Sequence, residues 1–529
     1  MKKAVFILLF GLLSTTVHSQ KRDNIWPMGY RSFPNPDYFY FDFSNGQPDT
    51  VRYYREMPFF ITHASICDTT GNLLFYTNGQ YIANKDNDTL LNSQNFNPGY
   101  YTLSYYPGGL GFSQAALFLP FSDTSRFYYV ISESAEEFIY NSQFNDAQPF
   151  HLTYSIIDAS LDSGRGGVLP NAKNINIIND TLILGRITAC KHANGRDWWV
   201  IFRKSDFSVG SSNNDWYTYL ITPYGIQNFS VQSIGSQNHT NNGQICFSQL
   251  GDKVVFSNLM GLLELFNFDR CNGLLSNPII IEPEPTIPPA KYFWSCAFSP
   301  DASKLYVSTN ETPTYLFQYD LNSPNIAASK DTIYSLSYPL EAGGELKLAP
   351  DNKIYLSNWY FNGFQTPYPY QDTVYNMYNM NLSVINQPDS LGTACDFQPF
   401  SFYLGGKRTY YGLPNNPNYD LGALTGSVCD TITGVAPSPL ENPDSYWEGG
   451  RLYPNPAKEK VRFEYSEPVS ENSQIEVYDN LGVMVKKIIL TKGSISTTFS
   501  INDLPPGMYL CRVFINNAYS QSNKLTIIR

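Results

Sequence analysis

Phe298 to Ser308 reads FSPDASKLYVS, and this stretch decides the fold because the chain repeats it. Close variants are FSQLGDKVVFS from Phe247, LAPDNKIYLS from Leu348, CKHANGRDWWVIF from Cys190 and ICDTTGNLLFYTN from Ile66. Each is an apolar run, a polar turn and a second apolar run rich in Val, Tyr, Leu and Phe, which is the pattern of a β-hairpin. A hairpin that recurs along a chain marks a repeat architecture. Aligned on Gly71, Ser125, Gly195, Gly251, Ala302 and Asn352, the turns are 54, 70, 56, 51 and 50 residues apart. A spacing of roughly 40–50 residues with several strands per unit is that of β-propeller blades. The long second step implies an insertion around ESAEEFIYNSQFNDAQPF, Glu133 to Phe150.

Strand signals repeat within each unit. The fifth runs WSCAFSP, KLYVSTN, YLFQYDLNS and DTIYSLS; the sixth runs ELKLAP, KIYLSNW, NLSVINQPD and QPFSFYLGG. Six units leave strands over at both ends, DYFYFDFSNGQPDTVRYYRE in front and TYYGLPNNPNY behind. Joined, they complete a seventh blade and remove the exposed sheet edges. The expectation is an all-β chain with a seven-bladed propeller closed by both termini, six blades being the alternative.

The first 19 residues, MKKAVFILLFGLLSTTVHS, pair two lysines with an apolar run of about ten residues and small residues for cleavage, as a signal peptide does. That run is too short to span a bilayer. The net charge of −11, from 35 Lys+Arg against 46 Asp+Glu, argues against a nucleic-acid partner. Aromatic residues make up 16% of the chain, which suits strands. The eight cysteines are scattered without a CxxC pair, so no zinc site is expected. Cys67, Cys190, Cys246 and Cys296 hold similar places before their turns and read as buried strand residues. Cys395 and Cys429 flank the end of the repeat region and are the disulfide candidate.

From about Phe41 to Tyr419 these motifs resemble a group of secreted propeller proteins of the Bacteroidetes, similar in fold to WD40- and lactonase-type propellers. That resemblance implies architecture and little chemistry. The expected organisation is a signal peptide at 1–19, a propeller at 20–425, a linker rich in Pro, Gly, Ser and acids at 426–447, and a small Ig-like β-sandwich at 448–529. In the last segment VRFEY and IEVYD alternate strictly, putting every second side chain on one buried face. The segment resembles the type A C-terminal sorting domain of the type IX secretion system. The matching residues are Tyr453, Pro454, Asn455 and Pro456, Gly482 after Leu481, then Leu504, Pro505, Gly507 and Tyr509. The resemblance implies delivery by the type IX machinery and its sortase, then release or attachment to surface lipopolysaccharide.

Chemistry is sparse in the sequence. Five histidines are present, one of them in the signal peptide, and there is no HExxH, GxSxG or phosphate loop. No metal or cofactor is expected. His192, Arg196 and Asp197 in KHANGRDWW are ligand-binding candidates, against the local reading of Asn194-Gly195 as a hairpin turn. Asp followed by Thr or Ser recurs at Thr50, Thr69, Thr89, Thr181, Thr332, Thr373, Ser390 and Thr431. The pattern is similar to the O-glycosylation acceptor of exported Bacteroidetes proteins, and equally to a turn-ending Asp before a strand. The expected function is a secreted or surface-attached, non-enzymatic propeller that binds a glycan, peptide or protein. The alternative is a hydrolase or lactonase-like enzyme with its site in the propeller funnel.

Overall fold

The repeated sentence folds into one repeated turn. Ser299 N–H donates to the Lys304 carbonyl at 2.9 Å, and Ala302 N–H donates back to the Ser299 carbonyl at 2.9 Å. The same pair of bonds closes the turns that begin at His192 and Ser248, and the turns at Asp68 and Ala349 share the inner bond but close one residue earlier, on the Asn72 and Lys353 carbonyls. The fourth residue of each turn has positive φ: Gly71, Gly195, Gly251, Ala302 and Asn352. Glycine and asparagine enter that region at little cost, which is why they recur at this position. Gly195 has a second reason: a Cβ there would lie 2.5 Å from the Ala423 nitrogen. Ser125, the remaining aligned turn position, lies outside the described residues.

The computed structural model describes residues 21–430 and 451–528 apart from 31–37, 47, 53–54, 122–125, 135, 142–143, 181, 183–184, 205–212, 224, 239–242, 286–291, 312, 338–342, 359, 361–374, 465–467, 470–472, 480–482 and 516–517. The signal-peptide reading of residues 1–19 falls outside them. The chain divides into two compact units at residue 432, with 223–225 grouped with the second.

In the first unit the repeats form antiparallel sheets in chain order. The first sheet is Ile25–Met28, Phe39–Asp42 and Asp49–Arg52. The second is Ala64–Cys67, Leu73–Thr77 and Ile82–Asn84. The third is built on Ala116–Pro120, Phe127–Glu133 and His151–Asp158. A separate hairpin, Glu136–Asn141 with Phe144–Gln148, occupies the place where the insertion was expected. The fourth to seventh sheets have four strands each and begin with Thr188–Lys191, Gly243–Phe247, Phe293–Phe298 and Leu346–Leu348.

Apolar side chains between successive sheets close a circuit. Tyr40 of the first packs with Tyr76 of the second; Phe75, Phe118 and Trp198 join the second, third and fourth. Trp216 meets Phe256 and Phe266, Val255 and Leu265 meet Phe317, and Tyr306 meets Ile354. Tyr355 and Val384 of the seventh return to Trp26 and Phe41 of the first. The first strands of the fifth, sixth and seventh sheets touch in turn, so these strands line an axis. This is a β-propeller, held by face-to-face burial between sheets rather than by one core.

Two expectations need correction. The segment Tyr411-Gly412-Leu413-Pro414-Asn415 does not pair as a strand with the N-terminal strands, whose sheet ends at Ile25–Met28. It runs antiparallel beside that strand: Tyr410 stacks on Tyr30 at 4.6 Å, and Leu413 packs with Trp26 and Met28. Pro414 and Pro417 carry no N–H, so this segment has too few donors for a hydrogen-bonded ladder. Nor does Cys429 pair with Cys395. Cys429 is bonded to Cys271, with Cα atoms 5.7 Å apart, whereas Cys395 is a buried free thiol ending the short helix Gly392–Cys395. The tail crosses to the fifth sheet before residue 429, which carries it away from Cys395.

The second unit has two antiparallel sheets. One contains Arg451–Tyr453, Lys460–Glu464 and Ser496–Ser500; the other contains Met484–Ile489, Gln474–Tyr478, Gly507–Ile515 and Ala518–Ile527. Both contribute to one core that includes Val461, Phe463, Phe499, Ile475, Val477 and Val513. The terminal motifs lock together. Asn455 Oδ1 accepts from Thr526 N–H at 2.8 Å, and Ala457 N–H donates to the Thr526 carbonyl at 2.8 Å. Tyr509 Oη donates to the Pro505 carbonyl at 2.8 Å, and Leu504 is buried beneath. Gly482 lies outside the described residues.

Candidate functional site

Residues 409–424 lie along the propeller axis, and their side chains explain how. Asn415 N–H donates to the His63 carbonyl at 2.8 Å. Its Nδ2 donates to the carbonyls of Ala116 at 3.0 Å and Ile187 at 2.9 Å. One asparagine therefore joins the second, third and fourth sheets. Asn418 Nδ2 bonds Gln249 in the fifth, Tyr419 Oη donates to the Phe118 carbonyl at 2.9 Å, and Leu413 N–H donates to Glu345 Oε2 at 2.7 Å beside the seventh. Amide side chains thus supply the bonds that the prolines cannot. Arg270 then donates to the Gly422 carbonyl and Leu424 N–H to the Ala193 carbonyl, leading the chain to the Cys271–Cys429 bond.

What remains of the axis is a cavity of about 90 Å³ between this segment and the inner strands of the fourth to seventh sheets. Ligand pockets for drug-sized molecules run to ~300–1,000 Å³, so the cavity suits a few waters and not a sugar ring. Its polar wall includes Gln244, Cys246, Glu345, Lys347, Asn415 and Asn416.

Two charged groups, Glu345 and Lys347, line it, and a third, Asp23, interacts with Lys347. Burial pushes the Glu345 carboxyl up to about 7, against the opposing pull of Leu413 N–H, the Ser113 hydroxyl (2.7 Å) and Lys347. Burial and then Asp420 push Asp23 up to about 6, with Lys347 again opposing. Burial holds the Lys347 ammonium below its usual range, and Asp23, Cys246 and Glu345 oppose the shift. Lys347 also donates to the Asn416 carbonyl. A cluster of displaced proton affinities in a cavity is the usual mark of a functional site, although ion networks that merely hold a structure give the same mark.

Glu345 makes a measurable prediction. The folded protein keeps its proton up to about pH 7, whereas the unfolded chain loses it near the ordinary 4.5. Between those values the folded state binds more protons, so stability falls as pH rises and levels off above the window. The group's share is at most about 3 kcal/mol. Glu345→Gln keeps an acceptor for Leu413 N–H, and its Nε2 donates to the Ser113 hydroxyl where that hydroxyl now donates to Glu345 Oε1. It is expected to be more stable than wild type at pH 8 and to lose less stability between pH 5 and pH 8 in urea unfolding. An unchanged pH slope would remove Glu345 from the account.

His192, Arg196 and Asp197 do not line this cavity. They build the fourth sheet's hairpin turn. His192 Nδ1 accepts from Asn194 N–H at 3.0 Å, and its Nε2 lies 3.1 Å from the Cys271 carbonyl. Arg196 Nε is 2.7 Å from Asp197 Oδ1, and Asn194 Nδ2 donates to Asp197 Oδ2 at 2.7 Å. Of the O-glycosylation candidates, Thr69, Thr89 and Thr332 are exposed, Thr50 and Ser390 are half-buried, and Thr181, Thr373 and Thr431 lie outside the described residues. Asp68 Oδ1 caps its turn by accepting from Thr70 N–H at 2.8 Å, which is the local reason for an Asp at that position. The axial charges were missed in the sequence, although GGELKLAP places Glu345 and Lys347 two apart, on one side of a strand that otherwise reads as apolar.

Residues 451–528 match the family described as a secretion system C-terminal sorting domain, so the chain carries such a domain after its propeller. No curated protein matches the chain. Similar solved structures include the periplasmic gluconolactonase of Pseudomonas aeruginosa, 12% identical, with 70% of this chain and 94% of that one covered and a TM-score of 0.37. A quinonprotein alcohol dehydrogenase-like protein from Bacteroides thetaiotaomicron is 9% identical, with 75% and 79% covered and a TM-score of 0.35. At such scores neither likeness bears on chemistry.

Proposed function

We propose that this is a type IX cargo, a seven-bladed propeller with an Ig-like sorting tail, that works outside the cell as a non-enzymatic binder of a glycan, peptide or protein. A signal peptide takes it across the inner membrane. The tail then addresses it to the type IX machinery and its sortase, which leave it secreted or attached to surface lipopolysaccharide. The observation that carries the binding reading is the filled axis. Residues 409–424 occupy the place where a funnel substrate would sit, and the remaining 90 Å³ is too small for one. Recognition is therefore assigned to the outer faces of the ring.

The cluster of Asp23, Lys347 and Glu345 favours the hydrolase reading instead, through its displaced proton affinities. A glycan and peptide array probed with the mature protein separates the two. Retained ligands that survive Glu345→Gln and are released intact are expected. Turnover of a retained ligand, abolished by Glu345→Gln in a protein that still folds, would replace binding with catalysis.

A further inference from the structure

Two free thiols line the axial cavity on adjacent strands. Cys246 lies on the first strand of the fifth sheet and Cys296 on the first strand of the sixth, and these strands are neighbours. Cys246 packs against the core cluster that contains Cys296, and each thiol perturbs the proton affinity of the other. Ser257 Oγ is 3.9 Å from Cys296 Sγ on the other side. The register between the strands is pinned by one side chain. Gln244 Oε1 accepts from Cys296 N–H at 2.7 Å and from the Ser295 hydroxyl at 2.6 Å. The thiols therefore do not meet by chance rotation of loose strands. Both line the axial cavity; Cys246 is partly exposed and Cys296 buried.

Their chemistry is asymmetric. The Cys296 hydrogen bond holds the Cys246 thiol below its ordinary range, with Lys347 pulling the same way against burial. Burial raises Cys296 well above the ordinary range. Cys246 is thus the attacking sulfur and Cys296 the resolving one. The Cys271–Cys429 bond already places the chain in surroundings where disulfides persist.

We propose that Cys246 and Cys296 are a dithiol that closes into a second disulfide, joining the fifth and sixth sheets beside the axis, with hydrogen peroxide, an oxidant close to water in size, as the electron acceptor. Cys246 thiolate attacks one peroxide oxygen, breaking the O–O bond, forming a sulfenic acid and expelling hydroxide. Cys296 sulfur then attacks Cys246 Sγ, breaking the S–O bond, while its proton passes to the departing oxygen, which leaves as water. The protein loses two electrons and two protons, and the peroxide leaves as two waters. This inference stands apart from the binding reading, since it needs no ligand on the outer faces.

The test uses the whole mature protein treated with hydrogen peroxide, then blocked, denatured and digested without reduction. Denatured thiol titration is expected to fall from the six free cysteines to four, with one new linked peptide joining Cys246 to Cys296 and the Cys271–Cys429 peptide retained. Cys296→Ser is expected to halt at a sulfenic acid on Cys246, captured by dimedone. The peptide map of wild type decides the matter even if that variant folds poorly. Six thiols remaining, or a linked peptide joining Cys246 to any other cysteine, would overturn the proposal.

Discussion

Removing residues 451–529 is expected to reduce surface and medium delivery to background while the propeller accumulates, folded, in the periplasm. A folded β-domain cannot diffuse through a bilayer, since its polar groups have no partners in hydrocarbon, so crossing the outer membrane requires a machine that reads an address. That address is the sorting domain at 451–528. Among the described residues its core is built from Ala457 to Ile527 with Leu452 packed against it, and the core clusters of the propeller contain none of these residues. Deletion therefore removes the signal and leaves the packing of the cargo intact. Cell fractionation with protease-resistance of the periplasmic fraction provides the readout. Fusion of the same residues to an exported reporter is expected to send that reporter out of a host with the type IX system. Wild-type surface levels of the truncated protein would show that the address lies elsewhere.

The second large effect is expected from Cys429→Ser. The Cys271–Cys429 bond closes a loop spanning 158 residues. Constraining so long a loop in the unfolded chain is worth about 3–5 kcal/mol in the chain-entropy account. Here the bond also ends the axial segment. Without it, the bonds of Gly422 to Arg270 and of Leu424 to Ala193 are left to hold the tail alone. The variant is expected to unfold at markedly lower urea concentration than the wild type, and wild type treated with reductant is expected to match it. Coincident unfolding curves for variant and wild type would mean that the bond constrains nothing in the unfolded chain.

Much of the fold was legible because its turns are local. The six-residue turn at Ser299 needs a residue tolerant of positive φ at its fourth place and short polar groups around it, and both can be read directly. The terminal motifs of the sorting domain were equally readable, since Asn455 and Thr526 are fixed by a register that the alternating strands set. The axial segment was readable only in part. TYYGLPNNPNY has the apolar residues of an inner strand, and it lies where such a strand would lie. Its two prolines were the visible sign that a ladder would not form. The partner of Cys429 was not readable, because it depends on a path set by Asn415 and Asn418, which bond the second to fifth sheets, and by the Glu345 carboxylate beside the seventh. The meeting of Glu345, Lys347 and Asp23 was hidden for the same reason. Asp23 and Lys347 are more than 300 residues apart, and only ring closure brings them together.

The same disulfide has a mechanical consequence. Cys429 lies within the segment 426–447 read as linker and ties it to the propeller, so tension on the tail, whether from a translocating motor or from surface tethering in flow, reaches the propeller first at Cys429. From there it passes through sulfur into Cys271 and the covalent backbone of the fifth sheet. The axial segment lies inside the covalent loop, upstream of the load. Its hydrogen bonds are shielded from the pull, and a force that would otherwise peel Asn418, Asn415 and Leu413 off the axis one after another meets a bond that does not unzip.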